Sequence, residues 1–460
     1  MVLANHTPLP LSYRAELVRP LLANLRAGEC CSVIGVGGTG KSNLTRFLQR
    51  QDVQQAYWND ELTWVVGIDS NGLIFDELKP EYVAAALMID RVINEAENRN
   101  HSSEFLTWAY DLRNRLDANP GSHLALRSLQ DMCRRLCEKE HLQLVFLFDQ
   151  FDDLWQKLDA RFFLSLRSIR DQFKYQVVYL VMTRDRLQRM RPDTSEVESF
   201  WELFSSHTFG LKPYTEKDAM VMLERLAARA QANLEGTADE MVELSGGHSG
   251  LLRAIFWASY DAEHKSLSPT ALLRIAAISE ECRKIWIALS PEEQALCRII
   301  AGGSPLHAPD QEVLDELLLK GLVHHDQSSF TLFSPVFATY VRRKIEGNIS
   351  GIVVDIALRQ VRLDGQPLQQ SLTPLEFKLI EYLALHAGMV CKREDLMQAL
   401  YSEDSLDRND QRLDAILARL RRALGESAQN SRYLITHRGG GIQLVCLLYT
   451  SPSPRDRQKS

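Results

Sequence analysis

Residues 31–48 read CSVIGVGGTGKSNLTRFL, and the fold of the first half of the chain turns on them. A short apolar run leads into Gly35-Val-Gly-Gly-Thr-Gly-Lys41-Ser42, a match to GxxxxGK[ST], and a helical stretch begins directly behind it. Strand, glycine-rich turn and helix in that order form an anion cradle. Gly35, Gly37, Gly38 and Gly40 let successive backbone N–H groups face one phosphate, with Thr39 and Asn43 beside them. Lys41 brings a point charge to the terminal phosphates, the Ser42 hydroxyl is placed to ligate magnesium, and the helix dipole favours the same anion.

Further strands are expected at LTWVVGID (62–69), LQLVFLFD (142–149) and YQVVYLVMT (175–183), separated by helical sequence. Apolar runs alternating with helices specify a parallel sheet covered on both faces. Ligands of such sheets bind at the carboxyl ends of the strands, where Asp149 stands as a candidate magnesium ligand acting through water. Gln150 follows, at a place where a carboxylate would serve hydrolysis; a glutamine orients water but takes no proton from it. Asp152 is a candidate acid or base in its stead, although Asp152 and Asp153 also read as first-turn acids of the helix DDLWQKL. Arg184, just past YLVMT, is placed to report a γ-phosphate. Arg167 and Arg170 read either as a finger toward a neighbouring subunit or as plain helix surface.

The chain has 460 residues, 45% apolar and 25% charged, which calls for several ordinary folded domains. Its net charge of −7 excludes a protein that coats nucleic acid along its whole surface, so DNA contact must be local. No apolar run approaches the roughly 18 residues of a membrane span. The N-terminal MVLANHTPLP lacks the parts of a secretory signal, so a cytoplasmic, bacterial-type protein without membrane contact is expected. Eight scattered cysteines show no zinc-site spacing and read as reduced, buried thiols. Residues 447–460 lack periodicity and read as a non-native or disordered tail.

Sequence from about Thr215 to Ile275 is helical in pattern, and 290–345 gives helices around EEQALCRII and EVLDELLLKGLV followed by a short hairpin in HHDQSSFTLFS. Ser290 with Glu293 forms a capping-box pattern, as does Thr373 with Glu376 further on. Near the C-terminus Leu413, Ile416, Leu417, Leu420 and Leu424 make an apolar stripe at helical spacing, with Arg412, Arg419, Arg421 and Arg422 on or beside the other faces. A helix of this kind entering a major groove would present Asn409, Gln411, Arg412 and Ala415 to base edges. Arg419, Arg421 and Arg422 would meet phosphates, and Arg438 on the Gly-rich hairpin would reach a minor groove.

Two family resemblances rest on these residues. GVGGTGKS, LVFLFDQFDD, LVMTRD and LSGGHSGLL resemble the STAND class of signalling ATPases, in the AAA+ and NB-ARC-like group, over residues 10–345. LTPLEFKLIEYLALHAGMVCKREDLMQALY, DQRLDAILARLRRALGE and YLITHRGGGIQL resemble the OmpR/PhoB-type winged-helix DNA-binding domain over roughly 350–445. The first resemblance implies ATP or ADP with Mg2+ held between a core, a lid and a winged helix, with a GxP element touching the nucleotide. Gly247-His248-Ser249 stands at that element, which makes His248 a nucleotide-binding candidate, and Arg14 with Glu16 echoes the family's entry motif. The implied architecture is multidomain. It comprises an α/β P-loop NTPase core with a parallel sheet (1–212), an all-α lid (213–280), a winged helix (281–347) and an α+β OmpR/PhoB-type winged helix (348–446).

The expected function is an ATP-controlled DNA-binding transcription regulator in signal transduction. Its nucleotide state would replace the aspartyl phosphorylation of a phosphorelay, with a homo-oligomer in the ATP state, double-stranded DNA as partner, a protein trigger and slow hydrolysis as a timer. The alternatives are a DNA-stimulated ATPase, a defence-type signalling ATPase with protein partners, and a chain that keeps ATP only as a structural ligand.

Overall fold

The structure is a computed structural model that describes residues 8–58, 62–70, 78–191, 193–234, 236–260, 267–303, 311–326, 329–347, 352–355, 359–363, 366–368, 370, 372–386, 390–401, 410–426, 431, 433–437 and 441–444. The chain divides into two compact units, Met1–Tyr340 and Val341–Ser460.

The first unit is built on a five-stranded sheet of β1 (Cys31–Ile34), β2 (Thr63–Asp69), β3 (Gln143–Asp149), β4 (Val177–Thr183) and β5 (Thr208–Gly210), in the order β2-β3-β4-β1-β5. All neighbouring strands are parallel. Every residue of β1 and β4 is buried, as the unbroken apolar runs require when helices cover both faces. The three strands foreseen beside the phosphate loop are present within two residues of their expected ends, and the short edge strand β5 joins them. Register places Asp69 beside Asp149 and Ile34 beside Thr183, so the polar ends gather at one edge.

Between β2 and β3 run the helices Pro80–Asn98, Ser103–Ala118 and Ser122–Arg134. The first opens on a proline, whose missing N–H costs nothing there, and the second on Ser102, which accepts the Phe105 N–H at 3.3 Å. Behind β3, the helix Phe151–Lys157 is held by an aromatic cluster of Phe151, Trp155, Phe163 and Phe200, with Trp155 and Phe163 centroids 4.8 Å apart. Such pairs contribute about 0.5–1.5 kcal/mol each beyond the area they bury. Trp155 Nε1 also donates to Leu187 O at 2.9 Å, which ties this helix to the loop after β4.

Helices Glu216–Ala230, Ala238–Ser245 and Ser249–Tyr260 pack together next, followed by Ala276–Ile287, Pro291–Ala301 and Gln311–Leu319. An antiparallel hairpin of Val323–Asp326 with Ser329–Leu332 and the helix Pro335–Gly347 complete the series. The Ser290/Glu293 capping box is formed as the sequence indicates. At Gly210 an added Cβ would sit 1.7 Å from Leu319 O, so only glycine lets the helix Gln311–Leu319 close against the edge strand.

The second unit pairs the strands Ile352–Asp355, Gln360–Leu363 and Gln366–Pro367, then packs the helices Pro374–Leu385, Arg393–Leu400 and Asp410–Ala423 beside a sheet of Val390–Cys391, Leu434–Thr436 and Ile442–Leu444. Its core gathers Leu413, Ile416, Leu417, Leu420 and Leu424 from one helical stripe, all nearly inaccessible. Each such side chain contributes about 1.5–3 kcal/mol by leaving water. The Thr373/Glu376 capping box is formed. The expected tail at 447–460 lies outside the described residues. Among the described residues no helix is long and apolar enough to cross a membrane, and the seven cysteines are free and buried.

Candidate functional site

The phosphate loop is held by its carbonyl edge. Lys41 Nζ donates to the carbonyls of Gly35 and Val36, the latter at 3.2 Å, and Thr39 Oγ1 donates to Val36 O at 2.8 Å. Gly37 O accepts from His248 Nε2 at 3.0 Å; Gly38 O accepts from the Ser249 hydroxyl at 2.5 Å and the Gly250 N–H at 3.0 Å. Thr39 O accepts from Arg14 Nη2 at 2.8 Å. Every carbonyl from Gly35 to Thr39 is therefore committed to a protein donor, which leaves the amides and the Lys41 ammonium as the groups the loop offers to a ligand. Gly38 adopts φ +81, and a Cβ there would meet His248 Cε1 at 2.8 Å.

His248 is fully buried, and its ring is fixed in one tautomer: Nδ1 accepts the Leu251 N–H at 3.2 Å, so Nε2 carries the proton given to Gly37. Burial pushes this imidazole down to about 4. The structure thus places His248 behind the loop as its support, with both nitrogens engaged by protein. Arg14 has the same office on the other side. It is buried at φ 48, donates to Lys212 O at 2.6 Å, and lies 4.3 Å from the centroid of the Tyr214 ring.

Gly37, Gly38, Gly40, Lys41, Ser42 and Asn43 line one cleft of about 770 Å³ together with Gln150, Asp152 and Arg184. Burial lowers the Lys41 ammonium to about 8, offset by Asp152 and Asp149 nearby. Asp149 is buried at the end of β3, and its Oδ1 has no hydrogen-bond partner among the described residues. Asp149 itself is not among the residues lining the cleft, whereas Ser42 and Lys41 are; its orphaned buried carboxylate oxygen, near enough to act on the Lys41 ammonium, fits the oxygen donors that a magnesium–phosphate ligand takes. Asp152 is positioned differently from an acid–base group: its Oδ1 accepts the Arg184 N–H at 2.9 Å and its Oδ2 lies 3.8 Å from Arg184 Nε. Gln150 sits at φ 53 and turns the chain from β3 into the next helix at the cleft wall. Sequence reasoning missed Arg253, Glu281 and Lys284, which reach the same cleft from helices far along the chain. No local motif marks them.

Arg167 and Arg170 do not project as fingers. Arg167 donates to Ser199 O and pairs with Asp171 at 2.7 Å; Arg170 is buried beside Asp171 at 3.5 Å.

The loop after β4 joins this cleft to the winged-helix segment. Directly after Arg184, Asp185 lies 3.5 Å from the fully buried Lys320, which pairs with Glu293 at 2.7 Å. Arg186 pairs with Glu316, and Arg189 pairs with Glu312 at 2.6 Å. A buried charge with two carboxylate partners is costly to expose one partner at a time, so these contacts resist gradual loosening.

In the C-terminal unit the helix Asp410–Ala423 exposes Gln411, Arg412, Ala415, Arg419 and Arg422. Arg419 Nε lies 3.1 Å from the capping carboxylate of Glu376, and Asp414 pairs with Arg393 at 2.5 Å. Arg421 corrects an expectation: it is buried, and its guanidinium donates to Leu434 O at 3.1 Å and Thr436 Oγ1 at 2.8 Å, tying helix to hairpin. The apolar stripe carries Arg421 inward with it because it follows the buried Leu420. Asn409 and Arg438 lie outside the described residues.

Residues 366–444 match the family described as "Transcriptional regulatory protein, C terminal". The chain is 33% identical over 90 residues to the two-component response regulator PhoP of Pseudomonas aeruginosa, covering 20% of this chain and 38% of that relative. Among solved structures it is similar to a Walker-type ATPase of Pyrococcus abyssi, at TM-score 0.45 and 17% identity, over 72% of this chain and 98% of that one. A signal transduction ATPase with numerous domains and a tetratricopeptide repeat sensor from Pyrococcus horikoshii is similar at TM-score 0.29 and 13% identity, over 87% of this chain and 49% of that one. The chain carries a GxxxxGK[ST] phosphate loop on a parallel α/β sheet and, at residues 366–444, a DNA-binding domain of the transcriptional-regulator C-terminal type.

Proposed function

We propose that this protein is a transcription regulator whose DNA reader is controlled by the nucleotide, ATP or ADP, held in its N-terminal region. One observation carries the proposal: Arg184, on the cleft wall, and Asp185, on the buried winged-helix lysine, are consecutive residues. A γ-phosphate that attracts the Arg184 guanidinium away from Asp152 displaces the loop on which Asp185, Arg186 and Arg189 hold the helices beyond.

Ser42 and Asp149 would hold magnesium, which supplies charge neutralisation at the phosphates. The amides of the loop orient the phosphates, Lys41 matches their charge, and Gln150 orients water without accepting its proton. Hydrolysis is accordingly slow, a timer on the ATP state. To carry a population from 1:99 to 99:1, nucleotide must discriminate the two states by about 5.5 kcal/mol, a sum within reach of several charge-assisted contacts. The ATP form self-associates and presents several readers at once, which raises affinity without new base contacts.

The test is selection of DNA from a genomic fragment library by the full chain loaded with a non-hydrolysable ATP analogue or with ADP. Discrete sites enriched with the ATP analogue support a nucleotide-gated regulator. Equal, sequence-blind retention in both states points instead to a DNA-stimulated ATPase, and no retention in either to signalling through protein partners.

A further inference from the structure

A second cavity, of about 450 Å³, adjoins the phosphate cleft and shares Asn43 and Arg253 with it. Tyr13, Phe47 and Tyr214 give it aromatic walls, as a purine nucleoside would require. Its charge is harder to explain. Five arginines line it, Arg46, Arg50, Arg225, Arg229 and Arg253, against one carboxylate, Asp218. That carboxylate is already occupied by the Arg14 N–H at 3.2 Å and the Thr215 hydroxyl at 3.1 Å. Arg50 is paired with Asp52 at 2.5 Å and bonded to Leu9 O. The other four guanidiniums have no acidic partner among the described residues.

Arg225 is the most telling of them. It is half-buried, and its affinity for its proton is lowered first by burial and then by the neighbouring charge of Arg229. Like charges drawn together at the mouth of an apolar cavity repel one another unless an anion is brought between them. The phosphates held by the Gly35–Ser42 loop do not fill that role, because the loop with Lys41 already provides for them at the far side of Asn43. Arg46, Arg50, Arg225 and Arg229 line this adjoining cavity and not the cleft of Lys41.

We propose that this site takes a nucleotide phosphorylated at both ends, with one phosphate chain in the Lys41 loop and a further phosphomonoester on the ribose, held by Arg225 and Arg229. The proposal rests on the nucleotide-binding reading of the phosphate loop and deepens it. The arginines then act as a specificity device: ordinary ADP or ATP leaves their charges facing one another, and the ribose phosphate relieves them.

The experiment is titration calorimetry of the full chain at one fixed salt concentration with ADP, ADP bearing a 3′-phosphate and ADP bearing a 2′-phosphate. At least one ribose-phosphorylated form binds roughly tenfold or more tightly than ADP, and that preference falls steeply as salt is raised. Arg225→Gln with Arg229→Gln abolishes the preference while ADP affinity stays within about twofold; Arg229→Gln alone, at an exposed position, reduces it and guards against misfolding of the double variant. Equal binding of all three nucleotides by the unaltered chain overturns the inference and leaves the phosphate loop standing. A preference that survives the double substitution also overturns it. Failure to bind any of the three sinks the phosphate-loop reading and this inference together.

Discussion

Asp152 Oδ1 accepts the backbone N–H of Arg184 at 2.9 Å, so a carboxylate on the helix after β3 sets where the loop after β4 begins. Asp152 is a positioning group for Arg184 in this arrangement, and the consequence is measurable. Asp152→Ala frees the Arg184 amide and guanidinium together, and a charge-assisted bond of this kind is worth about 1.5–3 kcal/mol. The γ-phosphate then no longer competes with Asp152 for the guanidinium, so the preference for a non-hydrolysable ATP analogue over ADP is expected to rise roughly tenfold, with ADP affinity little changed. Calorimetry with both nucleotides checks it. An unchanged preference would show that Arg184 does not read the γ-phosphate.

Lys320 is wholly buried between Glu293 and Asp185. Lys320→Met leaves the buried Glu293 carboxylate without its partner and is expected to cost about 3–5 kcal/mol in urea unfolding. The double change Lys320→Met with Glu293→Leu removes the buried pair and should recover part of that loss, short of the capping-box bond to Ser290 and the partner of Asp185 that go with it. If the single variant is as stable as the unaltered protein, the pair does not hold the winged-helix segment to the loop.

What the sequence displayed and what it concealed follow one physical division. Strands β2, β3 and β4 are continuous apolar runs, and the phosphate loop is a local motif whose geometry is written in its own glycines. Both capping boxes were legible for the same reason, since cap and partner are three residues apart. The role of His248 was not, because its bond to Gly37 spans 211 residues and no local spacing encodes it. Arg421 was misplaced for a subtler cause: charge alone put it on the DNA face, whereas burial beside Leu420 and the hairpin carbonyl of Leu434 claimed it. Arg225 and Arg229 look like ordinary helix-surface arginines until the fold brings Arg46 and Arg253 round to face them.

Two titrations carry opposite messages about pH. Lys41 has its affinity for a proton lowered to about 8, so raising pH through about 8 neutralises it in the free protein and takes away its attraction for phosphate. Nucleotide affinity at pH 9 should lie below that at pH 7, with proton uptake on binding at the higher pH. Lys41→Ala should lower affinity about 10- to 100-fold at pH 7 and flatten the profile. His248 is lowered from an ordinary 6.5 to about 4, so between those values the unfolded chain takes up a proton that the folded chain refuses. Its contribution makes the folded state lose stability as pH falls from about 6.5 toward 4, by on the order of 3 kcal/mol in all. His248→Gln, measured by urea unfolding across that range, should remove this part of the acid sensitivity.

The two neighbouring arginines of the helix Asp410–Ala423, the proposed recognition helix, should behave as different kinds of residue. Arg422 is exposed, and a phosphate contact there is sequence-blind; Arg422→Ala should weaken binding about equally on all duplexes and reduce the salt slope by about 1. Arg421 bonds Leu434 O and Thr436 Oγ1 instead, so Arg421→Ala should lower the stability of the C-terminal unit by about 1–3 kcal/mol and leave the salt slope unaltered. Gln411 is exposed near the start of the helix; on the proposed reading it meets base edges, and Gln411→Ala should relax preference at one position by about 1–3 kcal/mol without changing the slope. Binding isotherms on selected duplexes at several salt concentrations separate the three effects. If Arg421→Ala instead lowers the salt slope while stability holds, its burial against the hairpin does not persist on DNA, and the recognition helix must rotate as it docks.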